Sequence, residues 1–275
     1  MTLVETKVRG SVDVRSNALH LRLAETEEEV AAAQALRYRV FYEEMSAKAT
    51  SANAAAKRDF DVFDDYCDHM VVFDDARGAG PEAIIGTYRV MRRDAAKRCG
   101  RFYTMGEFNI ANLLAFPGEI MELGRSCIKA DHRNGGTMQL LWRGIAEYVM
   151  AHNVGLMFGC ASLPGTEPED LAVPLSYLYH RHLAPPALRA RALPERYVAM
   201  NVIPLGDISP RTALHVLPPL LKGYLRLGGF VGEGAVIDHD FGTTDVCVVV
   251  KTQSVTDRYF RHYTRDDVAK NEDAT

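Results

Sequence analysis

The chain has 275 residues, 47% of them hydrophobic, and a formal net charge of -4. That length carries one large domain with a sizeable core more readily than two small ones, and that charge excludes a polycation that binds nucleic acid by bulk attraction. Cys67, Cys99, Cys127, Cys160 and Cys247 lie far apart and form no CxxC pair, so neither a disulfide framework nor a zinc site is expected, and a reducing cytoplasm is the simplest setting. MTLVETKVRG is too charged for the core of a signal peptide, and no stretch approaches the ~20 apolar residues that span a bilayer. Peripheral contact with the inner face of a membrane stays open.

His20-Leu21-Arg22-Leu23 alternates as a short strand does, and Thr26-Glu27-Glu28-Glu29 then supplies a capping start for a helix. Val30, Ala33, Leu36, Val40 and Phe41 recur at helical spacing and carry that helix to about Met45. The following AKATSANAAAKRD loses the period and reads as loop. HMVVF (69–73), AIIGTYRVM (83–91) and EIMELGRSCI (119–128) read as strands of an antiparallel meander, with GAGPE turning between the first two. After the HRNGG loop, Met138, Leu141, Trp142, Ile145, Ala146 and Val149 predict a helix with one apolar face, followed by a strand at VGLMFGCASL. The stretch from Pro164 to about Pro210 lacks strand patterning and predicts an inserted helical and loop region that covers the core. LPPLLKGYLRLGGF then predicts a helix ending at Gly228-Gly229, and AVIDHDF and DVCVVVKT predict strands.

The sharpest chemical feature is DHRNGGTMQLL, a basic residue and two glycines between a strand and an apolar helix. Glycines let the backbone approach a ligand closely, and unpaired N–H groups at a helix start suit a phosphate. Arg133, Gly135, Gly136 and Thr137 are the candidate residues, although a glycine turn before a helix is more often simply a cap, so the motif needs company. His69 and Asp74 have the H-x-x-x-x-D spacing of glycerolipid O-acyltransferases, but on a strand a separation of five puts the two side chains on opposite faces. His180, His182 and His239 form no ligand constellation, so no metal is expected.

The Arg133 loop resembles the acyl-donor loop of GNAT acyltransferases, R/Q-x-x-G-x-G/A, with Met138 in place of the final small residue. Four further segments resemble the acyl-homoserine-lactone synthases of that superfamily. LRYRVF places Arg37 and Phe41, DVFD places Asp61 and Asp64, GTYRVM places Arg89, and ELGR places Glu122 and Arg125. The tryptophan of that family is absent after the first helix; the chain's one tryptophan is Trp142. FDDYCDHMVV, MELGRSCI, the HRNGG loop, LPPLLKGYLRLGG and RYFRHY more closely resemble the ornithine-lipid N-acyltransferases, over residues 18 to 263.

That resemblance implies an α/β (α+β) GNAT-like acyltransferase fold: a mixed, mostly antiparallel central sheet flanked by helices, one domain over 18–263 with an insertion at about 164–210 and flexible termini at 1–17 and 264–275. It implies transfer of a 3-hydroxyacyl group from acyl carrier protein to the α-amine of L-ornithine, with no cofactor beyond the carrier's phosphopantetheine. An amine with a pKa near ~8 must lose its proton before it attacks a thioester, and Glu122 is the candidate base. Arg37, Phe41, Asp61, Asp64 and Arg89 are the expected substrate-binding set, with Asp61 or Asp64 holding the cationic amines. Glu122 and Arg125 share a pocket only if a bulge intervenes near Leu123 or Gly124; otherwise Arg125 is a structural ion-pair partner. Carrier proteins are acidic, so Arg92, Arg93, Lys97, Arg98 and Arg101 are the expected docking residues. The alternatives are a coenzyme A-dependent acyltransferase, a lactone synthase, or a non-catalytic carrier-protein or lipid-binding module.

Overall fold

The structure, a computed structural model, describes residues 12–253. The RYFRHY segment, the 264–275 terminus and residues 1–11 of the leader lie outside the described residues. Contacts gather the chain into two compact units. The first comprises residues up to Tyr103 with Met121–Val154 and His239–Gly242, and the second Thr104–Ile120, Gly155–Asp238 and residues from Thr243 on.

In the first unit, β1 (Asp13–Ser16) and β2 (Leu19–Leu23) form a hairpin. Residues 13–16, expected within a flexible leader, are therefore ordered as an edge strand. Asn17 turns the hairpin at φ 52, a conformation that asparagine tolerates. The meander follows as expected: β2 pairs with β3 (Asp68–Asp74), β3 with β4 (Ile84–Arg92), and β4 with β5 (Glu119–Ile128), all antiparallel. The middle strands are buried at almost every position, because helices cover both of their faces.

Helix α1 (Glu27–Tyr38) starts where its cap predicts, with the Thr26 hydroxyl accepting the Glu29 N–H at 3.3 Å. It runs on through a wider π turn, Arg39–Glu44. Its Ala33, Leu36, Val40 and Phe41 join Val71, Phe73, Ile84 and Cys127 in one buried cluster on the sheet. The stretch read as loop after Met45 instead contains α2 (Ser51–Ala56), capped by Thr50, whose hydroxyl accepts the Asn53 N–H at 3.1 Å. It buries only Asn53, so it carries no apolar stripe for a pattern to reveal. Helix α3 (Arg93–Cys99) follows β4 and buries Ala95 and Ala96.

Helix α4 (Gly135–Ala151) packs on β1, β2 and β3, but not with the expected face. Thr137, Leu140, Leu141, Gly144, Ile145 and Tyr148 are buried, while Met138, Trp142, Ala146 and Val149 are half-buried. The helix is turned by one residue, about 100°, for two reasons invisible to a hydrophobicity pattern. Gly144 lets the helix meet Leu21 so closely that a Cβ there would lie 2.3 Å from Cδ2 of that leucine. The Tyr148 hydroxyl donates to Asp68 at 2.5 Å and accepts from Arg92 at 2.9 Å.

In the second unit, β6 (Val154–Pro164) and β8 (Thr243–Lys251) pair antiparallel over nine positions, with Cys160 opposite Cys247. β7 (Val236–Asp238) pairs with β8, and the strand expected to reach Phe241 stops at Asp238, where the chain turns. The segment read as an insertion opens with α5 (Ala172–His182). Its Ser176 hydroxyl donates to the Met200 carbonyl at 2.8 Å and accepts from the N–H groups of Val202 and Ile203, fastening the following loop. Helices α6 (Pro210–Val216) and α7 (Pro219–Arg226) follow, the latter ending ahead of Gly228 at φ 85. Among the described residues, no helix is long and apolar enough to cross a membrane.

The fit at Gly144 gives a direct check on the α4 face. Gly144→Ala should lower unfolding free energy by about 1–3 kcal/mol, as overpacking does, and Leu21→Ala in the same chain should recover part of that loss. Additive effects of the two substitutions in urea denaturation would contradict the contact.

Candidate functional site

The first unit carries a cluster of three arginines and three aspartates. Arg37 reaches it from α1, Arg89 from β4 and Arg125 from β5, while Asp59, Asp61 and Asp64 come from the single loop that follows α2. Arg37 is 0% exposed, with Nε 2.8 Å from Asp59 and Nη2 2.8 Å from Asp64. Arg89 lies 2.6 Å from Asp61 and 3.4 Å from Asp64. Arg125 lies 3.2 Å from Asp59 and 3.4 Å from Asp61. Charges this deep persist only when paired. Burial raises the Asp64 pKa, but Arg37 and Arg89 outweigh it, and the net shift is downward.

Of the two aspartates read as amine ligands, Asp64 is 4% exposed and engaged by both arginines, whereas Asp61 keeps a 25% exposed side chain. Asp59, which sequence reasoning missed, also accepts from the Tyr42 hydroxyl at 2.9 Å. His69 contacts the Asp64 carbonyl at 3.1 Å, and burial together with Arg37 lowers its pKa. It does not meet Asp74, whose carboxylate faces His132 at 3.0 Å. Phe41 is buried and packs edge-on against Phe241, with ring centroids 5.8 Å apart.

The bulge on β5 exists but sits further along than expected. Thr87 pairs with Cys127 and Arg89 with Gly124, so Arg125 and Ser126 together face Tyr88. Arg125 takes φ 52, the left-handed conformation that a glycine usually supplies at this bulge position. Such a residue costs on the order of 1–3 kcal/mol and persists where its surroundings hold it. Here the guanidinium lies against two aspartates and stacks 5.0 Å from the Tyr103 ring and 5.1 Å from Phe241. Burial works against its charge, but Tyr103, Asp59 and Asp61 outweigh burial and raise its pKa. Glu122, buried three residues earlier, accepts the Tyr103 N–H at 2.9 Å. The bulge thus brings Glu122 and Arg125 to the same tyrosine.

At the far end of β5 the HRNGG loop is fastened on both sides. His132 bridges Asp131 and Asp74, and Arg133 donates to the Ile128 carbonyl at 2.8 Å and pairs with Glu44 at the end of the π turn. Asn134 caps α4, accepting the N–H of the buried Thr137 at 3.1 Å. Gly135 has no neighbour within 4 Å of a would-be Cβ, and neither it nor Gly136 has positive φ. The protein's own packing therefore does not demand glycine at Gly135, which leaves exposed backbone at the helix start. Of the basic run, Arg92 is held by Tyr148, Lys97 and Arg98 are exposed on α3, and the exposed Arg101 stacks 5.3 Å from Phe63. Arg93 is half-buried at the start of α3.

The second unit holds a group that the sequence did not disclose. Glu107, Cys160 and Asp245 bring their ligand atoms within 4.8 Å of one another, and Oε2 of Glu107 is buried without a hydrogen-bond partner. Burial first, then Asp245, pushes the Glu107 carboxyl up to about 7. Two carboxyls so close and so dry share a proton more readily than they carry two charges. His180, His182 and His239 take no part in this group. Its members lie far apart along the chain and β6 and β8 bring two of them together, so no spacing could announce it. Asp59 did leave a signal, as the first of three aspartates in DFDVFD.

Residues 36–143 match the acetyltransferase (GNAT) domain family. Curated proteins called L-ornithine N(alpha)-acyltransferase match most of the chain, three of them as follows. The protein from Agrobacterium fabrum is 46% identical over 252 residues, covering 90% of this chain and 86% of its own. That from Rhizobium meliloti is 45% identical over 251 residues, covering 90% and 85%. That from Brucella abortus is 44% identical over 253 residues, covering 90% of each.

Two substitutions probe these clusters. Asp64→Asn takes from Arg37 and Arg89 one of the two carboxylates that each touches, at the most buried point of the cluster, and should destabilise the fold by about 3 kcal/mol, while Asp61→Asn, at the open edge, should cost clearly less; equal losses on chemical unfolding would contradict the difference in burial. Glu107, whose folded pKa lies above its unfolded value, binds more protons when folded and so makes stability fall as pH rises from about 4.5 to 7. Glu107→Gln should flatten that slope by up to about 3 kcal/mol, read from melting profiles across the interval.

Proposed function

Because this chain belongs to the L-ornithine N(alpha)-acyltransferase family, we propose that it transfers a 3-hydroxyacyl group from the phosphopantetheine arm of acyl carrier protein to the α-amine of L-ornithine. The products are a lyso-ornithine lipid and the free thiol of the carrier. The observation that carries this reading is the layout of β5. Glu122 and the Arg125 bulge lie in the middle of the strand, and the Arg133 loop with the start of α4 follows its C-terminal end. A pantetheine arm laid back from that loop along the strand brings its thioester first to the bulge and then to Glu122.

In this mechanism the phosphate of the arm rests on the N–H groups of Gly135 and Gly136, near Arg133. Glu122 takes a proton from the ornithine α-ammonium, directly or through a water. The freed amine attacks the thioester carbon and the C–N bond forms; as the C–S bond breaks, the proton shed by the attacking nitrogen passes to the sulfur, which leaves as a thiol. The bulge at Arg125 and Ser126 disrupts the regular ladder and turns backbone N–H groups toward the developing oxyanion. Asp61, the aspartate with surface left open, holds an ammonium of the acceptor, and Arg125 faces its carboxylate. Arg37, Asp59, Asp64 and Arg89 position that pair, and Phe41 with Phe241 walls the site. Lys97, Arg98 and Arg101 offer an acidic carrier its docking surface, with Arg93 beside them and Arg92 bracing α3 through Tyr148.

Incubation with 3-hydroxyacyl carrier protein and L-ornithine should yield the amide by mass spectrometry, faster than with the matching coenzyme A thioester. Preference for the coenzyme A donor would overturn the choice of carrier. Glu122→Gln should lower kcat about a hundredfold or more with circular dichroism unchanged; undiminished turnover would remove Glu122 as the base.

A further inference from the structure

The second unit contains a cavity of about 690 Å³ where α5, α6 and α7 meet, apart from any residue given a role above. Arg211, Lys222 and Arg226 line it together with His182 and His215, and among the described residues no carboxylate does. Burial and Arg181 lower the pKa of His182, so the lasting positive charge comes from the arginines and the lysine. The stretch 171–227 holds seven arginines and lysines against Glu195 and Asp207, within a chain whose formal net charge is -4. Positive charge is thus concentrated here against the trend of the molecule.

The same region exposes aliphatic side chains. Val202 is 54% exposed, Leu205 39%, Leu214 39% and Val216 52%. These are four of the ten large hydrophobics exposed among the described residues, crowded into fifteen positions. Leu214 and Val216 line the cavity itself. Val202 and Ile203 are tied to α5 through Ser176, and His180 of α5 contacts the Ile203 carbonyl at 2.9 Å, which keeps the other pair beside the same helix.

We propose that this face docks on an anionic phospholipid bilayer, with Arg211, Lys222 and Arg226 taking the headgroup phosphates in the cavity and Leu214, Val216, Val202 and Leu205 entering the acyl boundary. Cations beside exposed branched aliphatics, with Asp207 the single acid among residues 200–226, match a lipid interface, where the apolar groups leave water and the cations meet the surface potential. An acidic protein would answer the cations but not the aliphatics. On the function proposed above, the product is an amphiphile, and a docked enzyme releases it into the phase where it is soluble.

The test is sedimentation of the full chain, without substrates, with vesicles of phosphatidylcholine alone or mixed with phosphatidylglycerol. Binding should be at least about tenfold tighter to the anionic vesicles and fall away at high salt. Arg211→Gln with Lys222→Gln should weaken it by about tenfold or more, and Leu214→Ser with Val216→Ser should weaken it at low and high salt alike. Turnover of soluble substrates without vesicles should stay unchanged in both. Equal binding to neutral vesicles, or binding indifferent to both pairs, overturns the proposal. So does a rise in KM for acyl carrier protein in the vesicle-free assay, which would make the cavity a carrier-protein site. Because binding is read without substrates, its failure is separate from any failure of the ornithine assay.

Discussion

The first unit is organised around charge that has been taken out of water and then neutralised in place. Three guanidinium groups from a helix and two strands meet three carboxylates from one loop, and each arginine touches two aspartates. No member can move without halving the pairing of two others, and an under-paired ion at this depth is penalised far more than its pair is rewarded. The loop that follows α2 has few apolar anchors of its own and takes its path from these contacts. Arg125 shows how far the constraint extends, since it is held in a backbone conformation that its side chain disfavours. That conformation makes the bulge, and the bulge brings Glu122 and Arg125 to the same tyrosine.

Much of this was legible in the sequence where the signals are local. The Thr26 cap, the apolar runs of β3 to β5 and the glycine stop after α7 each depend on a few neighbouring residues, and each was found close to its place. The motif residues Arg37, Asp61, Asp64, Arg89 and Arg125 do converge. Their division of labour was not legible, because burial decides it. An arginine at 0% exposure cannot be told in a pattern from one on the surface, and neither can an aspartate sealed beneath two arginines.

The misreadings share a cause. The buried face of α4 includes Gly144, Thr137 and Tyr148, which a hydrophobicity scale ranks below Trp142 and Met138; complementarity to Leu21 and a hydrogen bond to Asp68 set the rotation instead. The bulge position follows from how β5 pairs with β4, a relation between strands that neither strand states alone. The Glu107 group and the cationic cavity of the second unit arise from residues that only the fold assembles.

The ion pair between Arg133 and Glu44 bears on the filling of the glycine loop. On the function proposed above, a phosphate resting on the bare amides at the start of α4 would compete with Glu44 for this guanidinium. A carboxylate released in that exchange would loosen the end of the π turn, coupling the filling of the loop to the C-terminal end of the first helix.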